Sequence, residues 1–250
     1  MRATAFALAL LAGIAGPAGA AEAPKAPAQE WSFGGLFGTF DRAAAQRGFQ
    51  VYKEVCAACH GAYHLSYRHL RDIGFSEDEV KGIAAQATVR DGPNDEGQMF
   101  ERPGRPSDKF VRPFPNEKAA RFANNGAYPT DLSLITKARA DGANYLFALL
   151  TGYSDPPPGV VMGDGMQYNK YFPGHQIAMP PPLNANQVTY SDGTAASVEQ
   201  MAKDVVTFLS WSAEPEMETR KRTGVKVILF LLVLTGLLYA VKRKIWAAVH

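Results

Sequence analysis

Cysteine is scarce in this sequence, because its 250 residues contain only two, Cys56 and Cys59. A structural zinc site needs further Cys or His residues at ligand spacing, so this scarcity argues against a cysteine-rich zinc site. The alternation of apolar and polar residues that marks half-buried strands is also rare. We find no internal repeat. The sequence therefore predicts a mainly α chain in which any sheet is short.

Both cysteines belong to one motif, Cys56-Ala57-Ala58-Cys59-His60, which has the C-x-x-C-H spacing of a c-type haem attachment site. Two thiols three positions apart lie about one helical turn apart, so both can form thioethers with one porphyrin. His60 is then held under the ring, where its imidazole can ligate iron. A redox dithiol is the alternative that the same spacing allows. Histidine directly after the second cysteine, in an exported chain, favours one covalent haem c.

The N-terminus has the pattern of a secretory signal peptide. Residues 1–20 begin with a charge at Arg2, continue with an apolar run and end on Ala18-Gly19-Ala20, an A-x-A cleavage site. The apolar run is too short to span a bilayer, so cleavage is favoured over a retained anchor. We expect an exported mature chain that begins near residue 21.

A second apolar run, residues 225–241, contains one charge and would extend about 26 Å as a helix. That length is near the lower limit for a bilayer core. Basic triplets at 220–222 and 242–244 argue against the alternative, a buried core helix. The signal peptide orients the segment in the inner membrane of a bacterium. The expected organisation is a periplasmic haem c domain (21–219), a single-pass transmembrane anchor with basic flanks (220–244) and a cytoplasmic tail (245–250).

The exported part of the chain is acidic. Between Glu22 and Glu218 there are 24 acidic residues and 18 basic ones, which gives a net charge of −6. This charge argues against nucleic acid as a partner and suggests a basic protein, although surface charge also serves solubility. The candidate docking residues are Glu77, Asp78, Glu79, Asp91, Asp95, Glu96 and Glu101.

Helical periodicity and capping residues predict the main elements of the exported domain. Asp41 is a suitable N-cap for a helix over 43–55. Ser76 and Glu79 form a capping-box pattern before a helix over 80–87. Further helices are expected over 116–125, 132–140 (capped by Asp131), 143–151 and 194–210, followed by a linker over 214–218. Residues 91–114 are expected to form a loop, and helix is nearly excluded over 155–182, which is dominated by Pro and Gly.

A haem with one histidine has either an open position or a second axial ligand. Candidates for that ligand are Met99, Met162, Met166, Met179, Met201, Met217, His64, His69 and His175. Met179 is favoured because it lies in the segment IAMPPP, residues 177–182, where prolines lower the entropy lost when a thioether is fixed. Met201 lies on an apolar helix face and is interpreted as core. A His/Met pair suits electron carriage and argues against substrate catalysis at the iron.

Several short segments occur in a recognisable order after C-x-x-C-H. They are AARFANNGA (119–127), LLTGY (149–153), YFPG (171–174), IAM (177–179), AEPE (213–216) and RKR (220–222), then a single apolar span and YAVKR (239–243). In this order the chain resembles the cytochrome c1 family, the haem subunits of ubiquinol–cytochrome c oxidoreductase. The resemblance covers essentially the whole mature chain.

The resemblance implies a mainly α fold, a class I c-type cytochrome domain with long irregular loops plus one C-terminal transmembrane helix. It implies that Cys56 and Cys59 are the thioether cysteines, His60 the proximal iron ligand and Met179 the distal ligand. The two cysteines leave none for the disulfide that some family members carry. Where many members have PPDLS, this chain has PTDLS, so it departs from the family pattern at Thr130.

The family match also extends to the walls of the haem pocket. Matching pocket-lining positions are Asn124, Ala127, Pro129, Ile135, Leu149, Leu150, Phe172 and Ile177. Arg139 and Tyr145 match residues that meet the haem propionates, and an arginine fork suits a carboxylate.

The implied function is electron transfer from a Rieske iron–sulfur protein to a basic cytochrome c, with no substrate catalysis by this chain alone. The implied partners are cytochrome b, the Rieske protein and membrane lipid, in a dimeric bc1 complex. One alternative is the haem subunit of another membrane oxidoreductase, such as a terminal oxidase or a nitric oxide reductase. Another is a haem-free, membrane-tethered thiol–disulfide oxidoreductase, in which the proline-rich segment around Met179 would have no role.

Overall fold

The computed structural model describes residues 24–248, so the predicted signal peptide and the last two residues lie outside the described part. The described helices are α1 (Arg42–Glu54), α2 (Glu77–Ala85), α3 (Glu117–Ala123), α4 (Gly142–Thr151), α5 (Val198–Ala213) and α6 (Met217–Trp246). Two antiparallel pairs of strands are β1 (Thr88–Asp91) with β2 (Phe100–Pro103), and β3 (Gln167–Tyr168) with β4 (Gln176–Ile177). The prediction of a mainly α fold with short sheets is confirmed.

The core of the domain forms where α1 packs against α5. Gly48 lets the two helices approach closely, because a Cβ at this position would lie 1.9 Å from the carbonyl oxygen of Asp204. The rings of Phe49 and Tyr52 pack with centroids 5.6 and 5.5 Å from the ring of Phe208. All three aromatic side chains are buried, so they contribute both apolar burial and specific ring geometry. The end of α1, where the haem motif begins, is therefore fixed against the core.

An ion pair ties the same two helices together. Arg47 donates to both carboxylate oxygens of Asp204, from Nε at 2.9 Å and from Nη2 at 3.0 Å. Asp204 is 1% exposed, and this bidentate partner offsets the cost of burying its carboxylate. A third hydrogen bond, from Arg47 Nη1 to Asp192 at 2.8 Å, connects α1 to the segment that precedes α5. The pairing fixes the register of α1 on α5.

Two helix starts agree with the sequence prediction. Asp41 Oδ1 accepts from the N–H of Ala44 at 3.0 Å and caps α1. Ser76 Oγ accepts from the N–H of Glu79 at 3.3 Å, and the Glu79 carboxylate accepts from the N–H of Ser76 at 2.7 Å. This reciprocal capping box begins α2, as predicted.

The helix predicted over 132–140 is wrong, because this segment forms a series of turns. Asp131 was predicted to cap it, but its carboxylate makes other bonds. Oδ1 accepts from the N–H of Ser133 at 2.9 Å, and Oδ2 accepts from the N–H of Tyr63 at 2.9 Å. The side chain therefore ties the turns to the loop that follows the haem motif.

The loop predicted over 91–114 is also wrong in part, because it contains β2, paired in register with β1 from Thr88↔Pro103 to Asp91↔Phe100. The side chain of Arg102 stabilises this hairpin by salt bridges to Asp91 and Asp108. Two further boundaries differ from the prediction. Ser197 caps α5, so this helix begins later than expected and continues to Ala213. α6 begins at Met217, inside the expected linker.

Candidate functional site

The haem motif lies at the end of α1 and closes into a single turn. Residues Cys56–Ala58 form a 3₁₀ turn directly after α1. The carbonyl of Cys56 accepts from the N–H of Cys59 at 3.1 Å and from the N–H of His60 at 2.8 Å. The backbone therefore brings both cysteines and the histidine into one turn, as two thioethers to a single porphyrin require.

The Cys56 thiol lies in an environment that suppresses its ionisation. Burial, together with the nearby Cys59, raises the pKa of Cys56 to about 12. A redox-active cysteine needs the opposite shift, because the thiolate is the reacting species. This argues against the thiol–disulfide oxidoreductase alternative.

His60 has one ring nitrogen occupied and the other available. Its Nδ1 lies 2.7 Å from the backbone carbonyl of Thr130. A carbonyl can only accept, so Nδ1 carries the proton and Nε2 keeps its lone pair for a metal. Burial lowers the pKa of His60, which favours this neutral, ligating form. Because the contact uses the backbone, the departure from the family pattern at Thr130 leaves it in place.

Met179 lies two residues beyond β4, in the proline-rich segment, and packs half-buried against the core. Its backbone carbonyl accepts from the hydroxyl of Tyr153 at 3.1 Å. Burial raises the pKa of Tyr153, so the phenol stays protonated and remains a donor. The backbone next to the thioether is thus held from one side by a tyrosine and from the other by Pro180.

Asn169 lies between β3 and β4 and connects that hairpin to α4, a role that the sequence did not predict. Its side chain is completely buried. Nδ2 donates to the carbonyl of Leu149 at 2.8 Å, while Oδ1 accepts from the N–H groups of Tyr171 at 3.0 Å and Phe172 at 3.2 Å. Its own N–H donates to the carbonyl of His175 at 2.9 Å. No sequence signal distinguishes this buried asparagine from the exposed asparagines of the chain.

The predicted pocket-lining residues differ in exposure. Ile135, Leu149 and Ile177 are buried in the core, with 6%, 8% and 8% of their surface exposed. The partly buried members are Leu150, Phe172, Asn124, Ala127 and Pro129. Apart from Asn124, these side chains are apolar.

Arg139 and Tyr145, the predicted propionate contacts, lie close to each other. Burial raises the pKa of Tyr145, and the positive charge of Arg139 opposes that shift. Arg139 is exposed, and its Nη1 donates to the carbonyl of Ala138 at 3.1 Å. Within residues 24–248 the other donors of its guanidinium make no hydrogen bond, so they are available to a carboxylate. With one neutral imidazole, one thioether and an apolar lining, the donor set of this site fits a haem.

The other candidate ligands have different surroundings. Met201 and Met217 are buried in helices, with 0% and 5% exposure. His69 Nδ1 accepts from the N–H of Ser66 at 3.0 Å and so caps the 3₁₀ helix Tyr67–Ile73. The others are Met99, Met166 and His64, which are exposed, Met162, which is half-buried, and His175, which stacks on Tyr168.

A surface cleft of about 250 Å³ lies beside the motif and includes Cys59 and Pro129. The guanidinium of Arg112 covers the ring of Tyr63 on its wall, 4.0 Å from the centroid. Cys59 is exposed, whereas Cys56 is partly buried. The Cys59 side of the motif therefore faces solvent.

The candidate acidic docking residues separate into two groups. Glu77 and Asp78 pair with Lys81, Glu79 belongs to the capping box, and Asp91 pairs with Arg102. Among residues 24–248, Asp95, Glu96 and Glu101 form no salt bridge and are exposed. The first two lie in the turn between β1 and β2, where the side chain of Asn94 accepts from the N–H groups of Glu96 and Gln98.

Comparison with known proteins gives one family and several close relatives. The model of the "Cytochrome C1 family" matches residues 31–249. A mitochondrial "Cytochrome c1-2, heme protein" of Solanum tuberosum is 56% identical over 215 residues, covering 86% of this chain and 82% of that protein. "Cytochrome c1" of Rhodospirillum rubrum is 50% identical, with 87% and 86% covered. "Cytochrome b/c1" of Bradyrhizobium diazoefficiens is 51% identical over 88% of this chain, which spans only 35% of that longer protein.

Proposed function

This chain belongs to the cytochrome c1 family, and from that premise we propose that it is the electron-carrying haem subunit of a cytochrome bc1 complex. The observation that carries the proposal is the state of His60. Its Nδ1 is committed to the Thr130 carbonyl and its pKa is lowered, so Nε2 is left as an iron ligand directly after the two cysteines.

In this proposal Cys56 and Cys59 hold one haem c by thioethers, and His60 and Met179 are its axial ligands. When bound, the group supplies one-electron exchange without a proton or a substrate at the iron. The chain positions its two ligands, covers the ring with apolar side chains, and directs the Arg139 guanidinium toward the propionates. Met179 raises the reduction potential, because a thioether favours ferrous iron.

The proposed electron path runs from a Rieske iron–sulfur protein through this chain to a basic cytochrome c. Support for a basic acceptor comes from the net charge of −6 in the exported part and from the unpaired Asp95, Glu96 and Glu101. Opposite charges steer association and lose their effect as salt rises. The rate of electron transfer to the acceptor should therefore fall with ionic strength.

The proposed location is the inner membrane of a bacterium. Helix α6 is long and apolar enough to cross a membrane, and none of its most apolar stretch is buried within the described chain. We propose that residues 21–219 form a periplasmic haem domain, that 220–244 form the anchor beside cytochrome b, and that the C-terminus is cytoplasmic. The complex is proposed to be dimeric.

Affinity purification of the full chain from its native membranes tests the proposal. Denaturing electrophoresis should show haem covalently attached to this chain, and cytochrome b and a Rieske protein should co-purify. A haem-bearing chain recovered without either partner would instead indicate the subunit of another membrane oxidoreductase. A chain without haem would contradict the proposal outright.

A further inference from the structure

A closed loop beside the start of α6 presents two apolar side chains to solvent. The 32–39 loop is closed by a hydrogen bond from the N–H of Thr39 to the carbonyl of Ser32 at 3.0 Å. Gly38 is required at the closure, because a Cβ there would lie 1.9 Å from the carbonyl oxygen of Gly34. At the tip, Leu36 is 59% exposed and Phe37 is 79% exposed.

The base of this loop is rigid, whereas its tip has no partner among the described residues. The rings of Trp31 and Phe33 stack at 5.4 Å, and the rings of Phe33 and Phe40 lie 5.2 Å apart. All three pack in or against the core. The packed base of the loop thus holds Leu36 and Phe37 outward. Burying these two side chains in a partner or a lipid phase would therefore cost little conformational entropy.

Hydrogen bonds to α6 give the direction in which the loop runs. The N–H of Phe40 donates to Glu218 at 2.9 Å. Two residues earlier in the chain, the carbonyl of Gly38 accepts from Lys221 Nζ at 3.1 Å, and the same ammonium donates to the carbonyl of Phe33 at 2.8 Å. As the chain is traced from Phe40 back to Gly38, its contact on α6 advances by three residues, or about 4.5 Å along the helix axis.

Continuing that direction places the tip level with the beginning of the apolar run. Val225, where the run starts, lies four residues beyond Lys221, or about 6 Å along α6. Arg220 and Arg222 are exposed at the level of Lys221, and Arg220 pairs with Glu214. Aromatic and aliphatic side chains beside a ring of cations are the composition of a membrane–water interface, where anionic headgroups meet acyl chains.

We propose that the 32–39 loop is a second membrane contact, which inserts Leu36 and Phe37 into the outer lipid interface where α6 emerges. The inference rests on the proposed membrane orientation of α6. Lipid is favoured over a protein partner because the tip follows the axis of the anchor to the level of its basic flank. With α6, the loop gives the haem domain two points of attachment, which restrains its tilt relative to the bilayer.

A nitroxide label at Phe37→Cys tests this in the full, haem-loaded chain, where the native cysteines are occupied by thioethers. The chain is reconstituted in vesicles of phosphatidylethanolamine and phosphatidylglycerol. Relaxation of the label by oxygen, which partitions into lipid, is compared with relaxation by a water-soluble nickel complex. Matched labels are placed at Val161→Cys, an equally exposed apolar position on the domain, and at Leu231→Cys within the apolar run. Leu36→Cys replaces the first variant if it fails to load haem.

Oxygen should dominate at positions 37 and 231, and the nickel complex should dominate at 161. Dominance of the nickel complex at 37, with oxygen still dominant at 231, overturns the loop proposal and leaves the membrane anchor intact. Dominance of the nickel complex at 231 contradicts the anchor itself. The same measurement in purified native complexes must again show lipid at 37; exclusion of both reagents there would indicate a protein partner and overturn the lipid assignment.

Discussion

His60 Nδ1 and the carbonyl oxygen of Thr130 lie 2.7 Å apart, and this one bond orients the ring that follows the two cysteines. The contact fixes the tautomer, and desolvation of the partly buried ring lowers its pKa and favours the neutral form. A position 70 residues later in the chain thereby prepares the proximal side of the site.

Thr130→Pro should leave the proximal side unchanged, because proline retains the carbonyl that accepts from His60. The N–H of Thr130 donates no hydrogen bond within residues 24–248, so proline removes no backbone hydrogen bond. The optical spectrum and the midpoint potential should match those of the unmodified chain. A clear shift in either would show that the Thr130 side chain, and not its backbone, is needed.

Tyr153→Phe should loosen the distal segment without removing the ligand. The variant loses the hydroxyl that donates to the Met179 carbonyl, at an expected cost of about 0.5–1.5 kcal/mol in the free energy of unfolding. Ligation of the haem iron by the Met179 thioether should survive at room temperature. It should be lost at a lower denaturant concentration than in the unmodified chain. Tyr128→Phe serves as the control, because that residue is about half exposed. Equal denaturation curves for the two variants would contradict a role for the Tyr153 bond.

Asn169→Leu should destabilise the domain strongly. The substitution leaves the partly buried N–H groups of Tyr171 and Phe172 without their partner, and it removes one of the two hydrogen bonds to the Leu149 carbonyl, which keeps the N–H of Gly152. Each unsatisfied group costs about 1–3 kcal/mol, so denaturant unfolding should reveal a loss of at least about 2 kcal/mol. The exposed residue Asn184, changed to leucine, provides the control and should have little effect. A similar small effect at both positions would contradict the role assigned to Asn169.

Asp192→Asn should weaken the dependence of stability on pH in acid. Hydrogen bonds from the backbone and side chain of Thr194, and then the Arg47 pair, lower the pKa of Asp192 to about 2. Because its pKa in the unfolded chain is about 3.9, its contribution is complete above that pH and is lost as pH falls through about 2. Between these two pH values, the free energy of unfolding should depend less steeply on pH in the variant than in the unmodified chain. Asp164→Asn is the exposed control, and an equal flattening there would refute the assignment to Asp192.

Local sequence signals predicted the helices well, because capping and periodicity are properties of neighbouring residues. Asp41 and the Ser76–Glu79 box cap helices at the predicted places. The family, the mainly α fold and the haem c cofactor are also confirmed by the comparisons. The motif itself needs only five consecutive residues, so it could be recognised without any tertiary information.

Tertiary partners decided what the sequence could not predict. Asp131 resembles a helix cap, but it bonds to Tyr63, a residue 68 positions earlier. The β1–β2 hairpin was missed because its strands have only four residues each and the segment that joins them contains Pro and Gly. Arg102 stabilises the hairpin through side-chain pairs. The structural role of Asn169 can be recognised only when the fold brings its three backbone partners together. The haem ligands and pocket residues remain predictions.

The most direct test of the central claim is the midpoint potential and optical spectrum of the Met179→Leu chain, with Met166→Leu as the matched control. Met166 lies in the same Pro/Gly-rich region but is exposed. Loss of the thioether should abolish the low-spin His/Met spectrum and lower the potential by a few tenths of a volt, since axial ligands set it over about 0.8 V. The Met166→Leu chain should be unchanged. An unaltered spectrum and potential in the Met179→Leu chain would contradict the account.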